Sequence, residues 1–254
     1  MKCFYSVALL LLLSLSATAE TIQYEGSSTI GKFISDADKI YPHASFSINV
    51  ASESQGGELC VINKSCELGG VARAVDSGVL DQGVQAIKVG QDAISVLVNV
   101  RNPIRFLSKQ QLKDIFTGKV KNWSELGGDD LAIRPYIVKT ASATRHVFQD
   151  LVMDGEAYSG AKEVSPDRKI LASVLHDRGA IGQLSLAFLK GIKRIGVVSI
   201  DGQRATSSNP NYPISRPLYL VTGGQPNDKV KAFLSWAQSE EGQSVVRKRF
   251  VGLN

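Results

Sequence analysis

The chain is poor in the residues that usually carry metal or redox chemistry. Its 254 residues include three cysteines, three histidines, two methionines and two tryptophans. His43, His146 and His176 stand singly, with no His-Glu-x-x-His or Cys-x-x-Cys spacing, so no set of ligands for zinc is present and no metal or cofactor is called for. A Gly-x-x-x-x-Gly-Lys-Ser/Thr loop, a dinucleotide fingerprint and a Gly-x-Ser-x-Gly elbow are also missing, which removes the usual signatures of nucleotide hydrolysis and esterase chemistry. No histidine lies at nucleophile spacing from a serine or cysteine, and the chain reads as a binding protein rather than an enzyme. Runs of Lys and Arg interleaved with aromatics are lacking, so nucleic acid is not an expected partner.

Long apolar runs are confined to the start. Met1 and Lys2 precede Val7 to Leu15 and then Ser16-Ala17-Thr18-Ala19, a charged tip, a short greasy core and a small-residue cleavage signature. That run is well short of the ~20 residues needed to cross a bilayer. Residues 1–19 therefore read as a secretory signal cleaved after Ala19, delivering the mature chain to the periplasm as a soluble monomer. Lys2 is the only charge in that segment, so Lys plus Arg falls from 29 to 28 against 24 acids and the net charge from +5 to +4. A mildly basic balance suits either an anionic ligand or an ordinary solvated surface. Beyond the signal only Cys60 and Cys66 remain, and in an oxidising compartment they are placed to pair. A loop this short is worth about 2 kcal/mol, enough to fix a local turn rather than to drive folding.

Strand and helix patterns alternate along the rest. Thr21 to Tyr24 reads as a strand, and Gly26-Ser27-Ser28 turns into the apolar stripe Ile30, Phe33, Ile34, Ala37, Ile40 and Tyr41. Ser45 to Val50 alternates as a second strand and ends in the small loop Ser52 to Gly57. Ala93 to Val100 is nearly continuous in apolar residues, as in a strand covered on both faces. A helix starts at Ser108 and stops at Gly118, and Ile133 to Val138 reads as a strand leading to Ala141-Ser142-Ala143-Thr144-Arg145 and another helix. Ile170 to Leu175 reads as a helix, Gly179 to Gly182 as a turn, and Ile195 to Ile200 as a strand. Asp201 to Pro213 is loop, Arg216 to Thr222 strand, and Val230 to Trp236 a closing helix. The pattern predicts an α/β fold of two lobes, with mixed, largely parallel sheets and a cleft between them. Lobe one is expected over 20–98 plus 216–254 and lobe two over 99–215, the chain crossing at Val98 to Asn102 and again near Arg216.

Three turns of small hydroxyl residues sit where strands end and helices begin. Unpaired N–H groups and a partial positive charge at a helix start favour an anion, and open α/β sheets bind ligands at this end of their strands. Ser28 with Thr29, Ser54, and Ser142 with Ala143 and Thr144 are thus candidate ligand residues. Each hydroxyl serves equally well as a plain helix cap. Arg145 adds a bidentate donor from the third turn, and its alternative is a surface ion pair. Arg73, Lys139 and Glu53 are second-rank candidates.

Gly26-Ser-Ser-Thr29, Gln111-Leu-Lys-Asp-Ile-Phe-Thr-Gly118, Asn122-Trp-Ser-Glu-Leu-Gly127, Ser142-Ala-Thr-Arg145, Gly179-Ala-Ile-Gly182 and Arg216-Pro-Leu-Tyr219 occur in that order. Together they resemble the PstS family, the periplasmic phosphate-binding proteins of phosphate-specific ABC transporters, in a divergent form. The resemblance implies a type II periplasmic-binding-protein fold closing on a dehydrated oxyanion, phosphate or a relative such as sulfate. It further implies delivery to an inner-membrane ABC permease, with Ser28 and Thr29 matching the first loop, Ser54 the second and Ser142, Ala143 and Thr144 the third. The chain departs from the family pattern at Ala141 and Ala143, where glycines are usual, at Lys139, which stands near the family's arginine, and at Glu53, which enters the second loop. A carboxylate facing the cleft would repel a dianion unless it accepted the ligand's proton. Those departures motivate an alternative: a ligand-free or weakly binding envelope scaffold for adhesion, matrix assembly or sensing.

Overall fold

The computed structural model describes residues 20–253, so the expected signal segment lies outside the described residues. Ten strands run in chain order as β1 (Glu20–Gly26), β2 (Ala44–Asn49), β3 (Leu68–Val71), β4 (Val84–Asn99), β5 (Phe106–Leu107), β6 (Arg134–Val138), β7 (Lys162–Val164), β8 (Ala180–Ser185), β9 (Ile195–Ile200) and β10 (Ser215–Gly223). The helices are α1 (Ser28–Ala37), α2 (Glu53–Ile62), α3 (Ser77–Leu80), α4 (Lys109–Phe116), α5 (Ala143–Met153), α6 (Lys169–His176), α7 (Asp228–Gln238) and α8 (Glu240–Val246).

The strands follow the path β2-β1-β3-β10-β4-β8-β6-β7, with β9 also on β4 and β5 on β9. Outer pairs such as β1 with β2 and β6 with β7 are parallel, whereas β4 and β10 run antiparallel to their neighbours. The architecture is mixed α/β and two-lobed. Strand β4 belongs to both halves. Residues Val84 to Ala93 pair with β10, and from Ile94 onward the partners are β8 and β9. This change of partners falls upstream of the crossing expected at Val98 to Asn102, and the return lies at the start of β10, where Ser215 pairs with Ala93.

Each half-sheet is covered on both faces. On one side of the first half, Ile22 and Tyr24 of β1 pack with Ile30, Phe33 and Ile34 of α1 and with Val230, Phe233 and Ala237 of α7. Phe33, Phe233, Trp236 and Tyr41 form an aromatic cluster there, Tyr41 lying 5.3 Å from Phe233 between ring centroids. The C-terminal helices are thereby held to the N-terminal half by burial of large rings. The opposite face is closed by α2, where Cys60 and Val61 meet Val71 and Val221. Cys60 and Cys66 form a disulfide with Cα atoms 5.3 Å apart, as expected from their isolation in the sequence. In the second half, Leu112, Phe116, Phe148 and Trp123 fill one face and Ile170 and Val174 of α6 the other.

Two departures from the sequence pattern have physical causes. Gly179 to Gly182 reads as a turn, yet Ala180–Ser185 is the buried strand β8. A Cβ at Gly182 would stand 2.6 Å from Ile170, so the glycine lets α6 press onto the sheet rather than bend the chain. The small loop after β2 is in fact the first turn of α2, which has almost no apolar stripe to announce it. Its Gly57 allows the helix to touch the backbone of β3, since a Cβ there would meet the Gly70 carbonyl at 2.6 Å.

Candidate functional site

The strands β1, β2 and β6 deliver their C-terminal ends to the same cleft, and the turns that follow carry the expected hydroxyls. Ser27, not Ser28, caps α1, its Oγ accepting from the amides of Thr29 and Ile30. This leaves the Ser28 amide for another acceptor and turns the Ser28 hydroxyl inward, where its Oγ is buried and finds no partner among the described residues. Thr29 is also buried, and its Oγ1 accepts from Arg216 Nη2 at 3.0 Å.

Arg216 is the cation of the site. It lies on β10 directly across from Asp92 of β4, the two being register partners. Its Nε donates to Asp92 Oδ2 at 3.0 Å, with Nη2 2.9 Å from the same oxygen, while Ser185 Oγ donates to Asp92 Oδ1 at 2.8 Å. The Arg216 and Asp92 side chains are 1% and 0% exposed. Burial raises the Asp92 carboxyl above its ordinary value, and the Arg216 charge opposes that rise. The network ties α1, β4, β8 and β10 together at the place where the sheet changes partners. Neither residue was singled out from the sequence as part of the site. The available signal was a charge at the edge of an apolar run in each strand, Asp92 just before Ala93 to Val98 and Arg216 just before Leu218 to Val221, a pattern that demands a partner.

Two further carboxylates meet in the cleft. Glu53 opens α2 and is 3% exposed; its Oε2 accepts the Ser28 amide at 3.0 Å. Asp167, 2% exposed in the turn between β7 and α6, accepts from Ser142 Oγ at 2.6 Å, while its Oδ1 is buried with no partner among the described residues. Burial, followed by the charge of Asp167, pushes the Glu53 carboxyl up to about 7 against the Ser28 amide and Lys139. Asp167 is likewise raised by burial, with the Ser142 hydroxyl, Arg216 and Lys139 pulling the other way. Asp167 is the other functional residue that sequence reasoning missed; Ser165-Pro166-Asp167 resembles an ordinary turn before a helix.

The other candidates divide. Ser142 caps α5, its Oγ accepting from the Thr144 amide, and Ala143 and Thr144 are buried beside it. Lys139 reaches across the cleft, Nζ donating to the Ala51 carbonyl at 2.5 Å, and lines a cavity of about 550 Å³ together with Ser28 and Glu53. Ser54 is buried, but its Oγ accepts from the Ala72 amide and so ties α2 to the end of β3. Arg145 is not brought to this cluster: it pairs with Glu163 at 2.5 Å and lies over the Tyr158 ring. Arg73 pairs with Glu58 at 2.6 Å and lines a separate cavity of about 620 Å³ with Ala143 and His146. No group of three or more His, Cys, Asp or Glu placed to hold a metal occurs among the described residues. The site thus offers hydrogen-bond donors, one buried guanidinium and three acids of raised pKa, one of them paired with that guanidinium, an arrangement suited to holding a small polar guest by proton-sharing contacts.

Two half-sheets joined by a shared strand, with helix starts facing a cleft between them, define a solute-binding fold. The chain belongs to the PBP superfamily, whose domain matches residues 14–241. Membership makes it a binding protein rather than an enzyme. The phosphate-binding protein PstS of Bacillus subtilis is 35% identical over 159 residues, 60% of this chain and 52% of the relative, so the match spans about half of that protein. PstS of Staphylococcus saprophyticus is 25% identical, with 91% of this chain and 80% of the relative covered. Among solved structures, a Clostridium perfringens protein assigned as a phosphate ABC transporter substrate-binding protein, with bound phosphate, superposes with a TM-score of 0.86 and 27% identity, covering 92% of this chain and 100% of the other. A phosphate transport receptor from Vibrio cholerae, at 21% identity and a TM-score of 0.73 over 90% of this chain and 98% of the other, shares the fold.

Proposed function

We propose that the chain is a periplasmic solute-binding protein that takes up a small oxyanion, phosphate first, and presents it to an ABC permease of the inner membrane. The observation that carries this reading is the meeting of the α1, α2 and α5 starts with buried Arg216 in one cleft. Relatives across most of the chain bear the name of phosphate-binding proteins, and the leader-like residues 1–19 fit export with the signal removed. Ser28, Thr29, Ser142, Ala143 and Thr144 supply donors around the guest, with Lys139 at the rim and Arg216 behind Thr29. The lobes divide where β4 changes partners, between Ala93 and Ile94, and again just before Ser215. Hinge motion of those two segments opens and closes the cleft. Calorimetry of the stripped, monomeric protein is expected to give a 1:1 complex with phosphate; no heat with phosphate, sulfate, arsenate or molybdate would overturn the reading.

One observation favours a second reading, a weakly binding envelope scaffold. The Ser28 amide, which would otherwise face the guest, is already held by Glu53. A crystal grown without added ligand that nevertheless retains a tetrahedral anion in the cleft argues against that scaffold.

A further inference from the structure

Glu53 has an unusual backbone. Its φ is +57°, in the left-handed region that residues with a side chain seldom adopt. That conformation begins α2 and sends the side chain toward the first turn of α1, where Oε2 takes the Ser28 amide. A carboxylate oxygen 3.0 Å from a helix-start amide occupies the position that an anion bound to that helix would fill. Beside it the Ser28 hydroxyl is buried without a partner among the described residues, and Ser28 lines both a 430 Å³ and a 550 Å³ cavity of the cleft. A buried hydroxyl beside the amide, with no geometric hydrogen-bond partner of its own among the described residues, marks this as a seat for a guest with more oxygens than a single carboxylate offers.

We propose that Glu53 is a resident occupant of the anion seat, so that an external oxyanion binds by displacing this carboxylate and binds more tightly when it is removed. The inference rests on the oxyanion-receptor reading above and adds that the receptor's affinity is set by an internal competitor. The charges that face Glu53 explain the competition. From β1 the Tyr24 hydroxyl approaches, itself held protonated by burial and by Glu53; from the turn before α6 comes Asp167; and from the end of β6 comes Lys139. Arg216, farther back, is already engaged by Asp92 and Thr29. A dianion arriving at the Ser28 amide would therefore meet two acids and one ammonium, that of Lys139, already donating to the Ala51 carbonyl, an unfavourable balance unless Glu53 leaves or takes a proton. The 550 Å³ cavity that Glu53 lines with Lys139 gives its side chain room to swing out of the seat.

The test compares wild type with Glu53→Gly, which suits a φ of +57°, and Glu53→Gln, which keeps the shape and removes the charge. Phosphate affinity is measured by calorimetry at pH 6 and pH 8 on each stripped protein. The Gly variant is expected to bind phosphate at least tenfold tighter than wild type at pH 8, with the Gln variant between them. The advantage should shrink at pH 6, where protonation of Glu53 weakens the competitor in wild type; taking the ratio of affinities cancels the titration of phosphate itself. Wild type binding phosphate while both variants bind no tighter would overturn the proposal and leave the receptor reading standing. Silence from all three proteins toward phosphate, sulfate, arsenate and molybdate would overturn both. If the Gly variant fails to fold, the Gln variant decides by the same comparison.

Discussion

Asp92 and Glu53 are both acids sunk in one cleft, 0% and 3% exposed, yet they answer burial differently. Asp92 sits mid-strand opposite Arg216 and receives Ser185 as a second donor, so its charge is compensated within the sheet. Glu53 opens α2, its main relief comes from Ser28 at the start of α1 and from the Lys139 ammonium, and a second acid faces it. Burial raises both, but Asp92 with its arginine partner serves as a structural pin, whereas Glu53 without one is pushed up to about 7. The first joins the half-sheets; the second governs what can enter between them.

The sharpest way to break this contrast is to remove the partner of Asp92. Arg216→Met should cost about 3–5 kcal/mol of stability by leaving a buried charge alone, read from urea unfolding at pH 7. The double variant Asp92→Leu with Arg216→Met should recover most of that loss; failure to recover would mean that the pair does more than balance charge. Next comes Glu53→Gln, whose effect depends on pH. Because the folded carboxyl, at about 7, lies above its ordinary value of 4.5, the fold binds the proton more tightly than the unfolded chain does. Its contribution is therefore fully present below about pH 4.5 and is lost as pH rises through 7. The Gln variant should gain on wild type across that window, by about 3 kcal/mol above pH 7, and show no gain at pH 4; thermal unfolding at several pH values reads the difference. The smallest effect is expected for Ser142→Ala, which removes the cap of α5 and the donor to Asp167. It should lower stability by about 1 kcal/mol and raise the Asp167 carboxyl still further, the second change being visible in a carbon-detected NMR titration.

Much of the site was legible because helix starts announce themselves. Ser142 before an amphipathic run and Ser27-Ser28-Thr29 before another place hydroxyls at caps whatever the remainder of the fold does. Glu53 was legible only as a charge in a small-residue loop, because α2 lacks the apolar periodicity that would have marked its first turn. Arg145 and Arg216 show the limit more clearly. Arg145 lies inside the conspicuous motif, but its side chain reaches from α5 to Glu163 of β7. Arg216 lies outside any loop and reaches the cleft through strand pairing over a sequence separation of 124 residues. Asp167, 25 residues from Ser142, meets it only because β7 lies parallel to β6.

The sequence by itself determined the alternation of strands and helices, the isolated cysteine pair and the small hydroxyl turns at three helix starts, since periodicity and capping are local and act within a few residues. Tertiary structure alone decided which charges share the cleft, because register across β4 and β10 sets Asp92 against Arg216 and the approach of the two half-sheets sets Glu53 against Asp167. Burial there removes the water that would otherwise have made each of those charges independent of its neighbours.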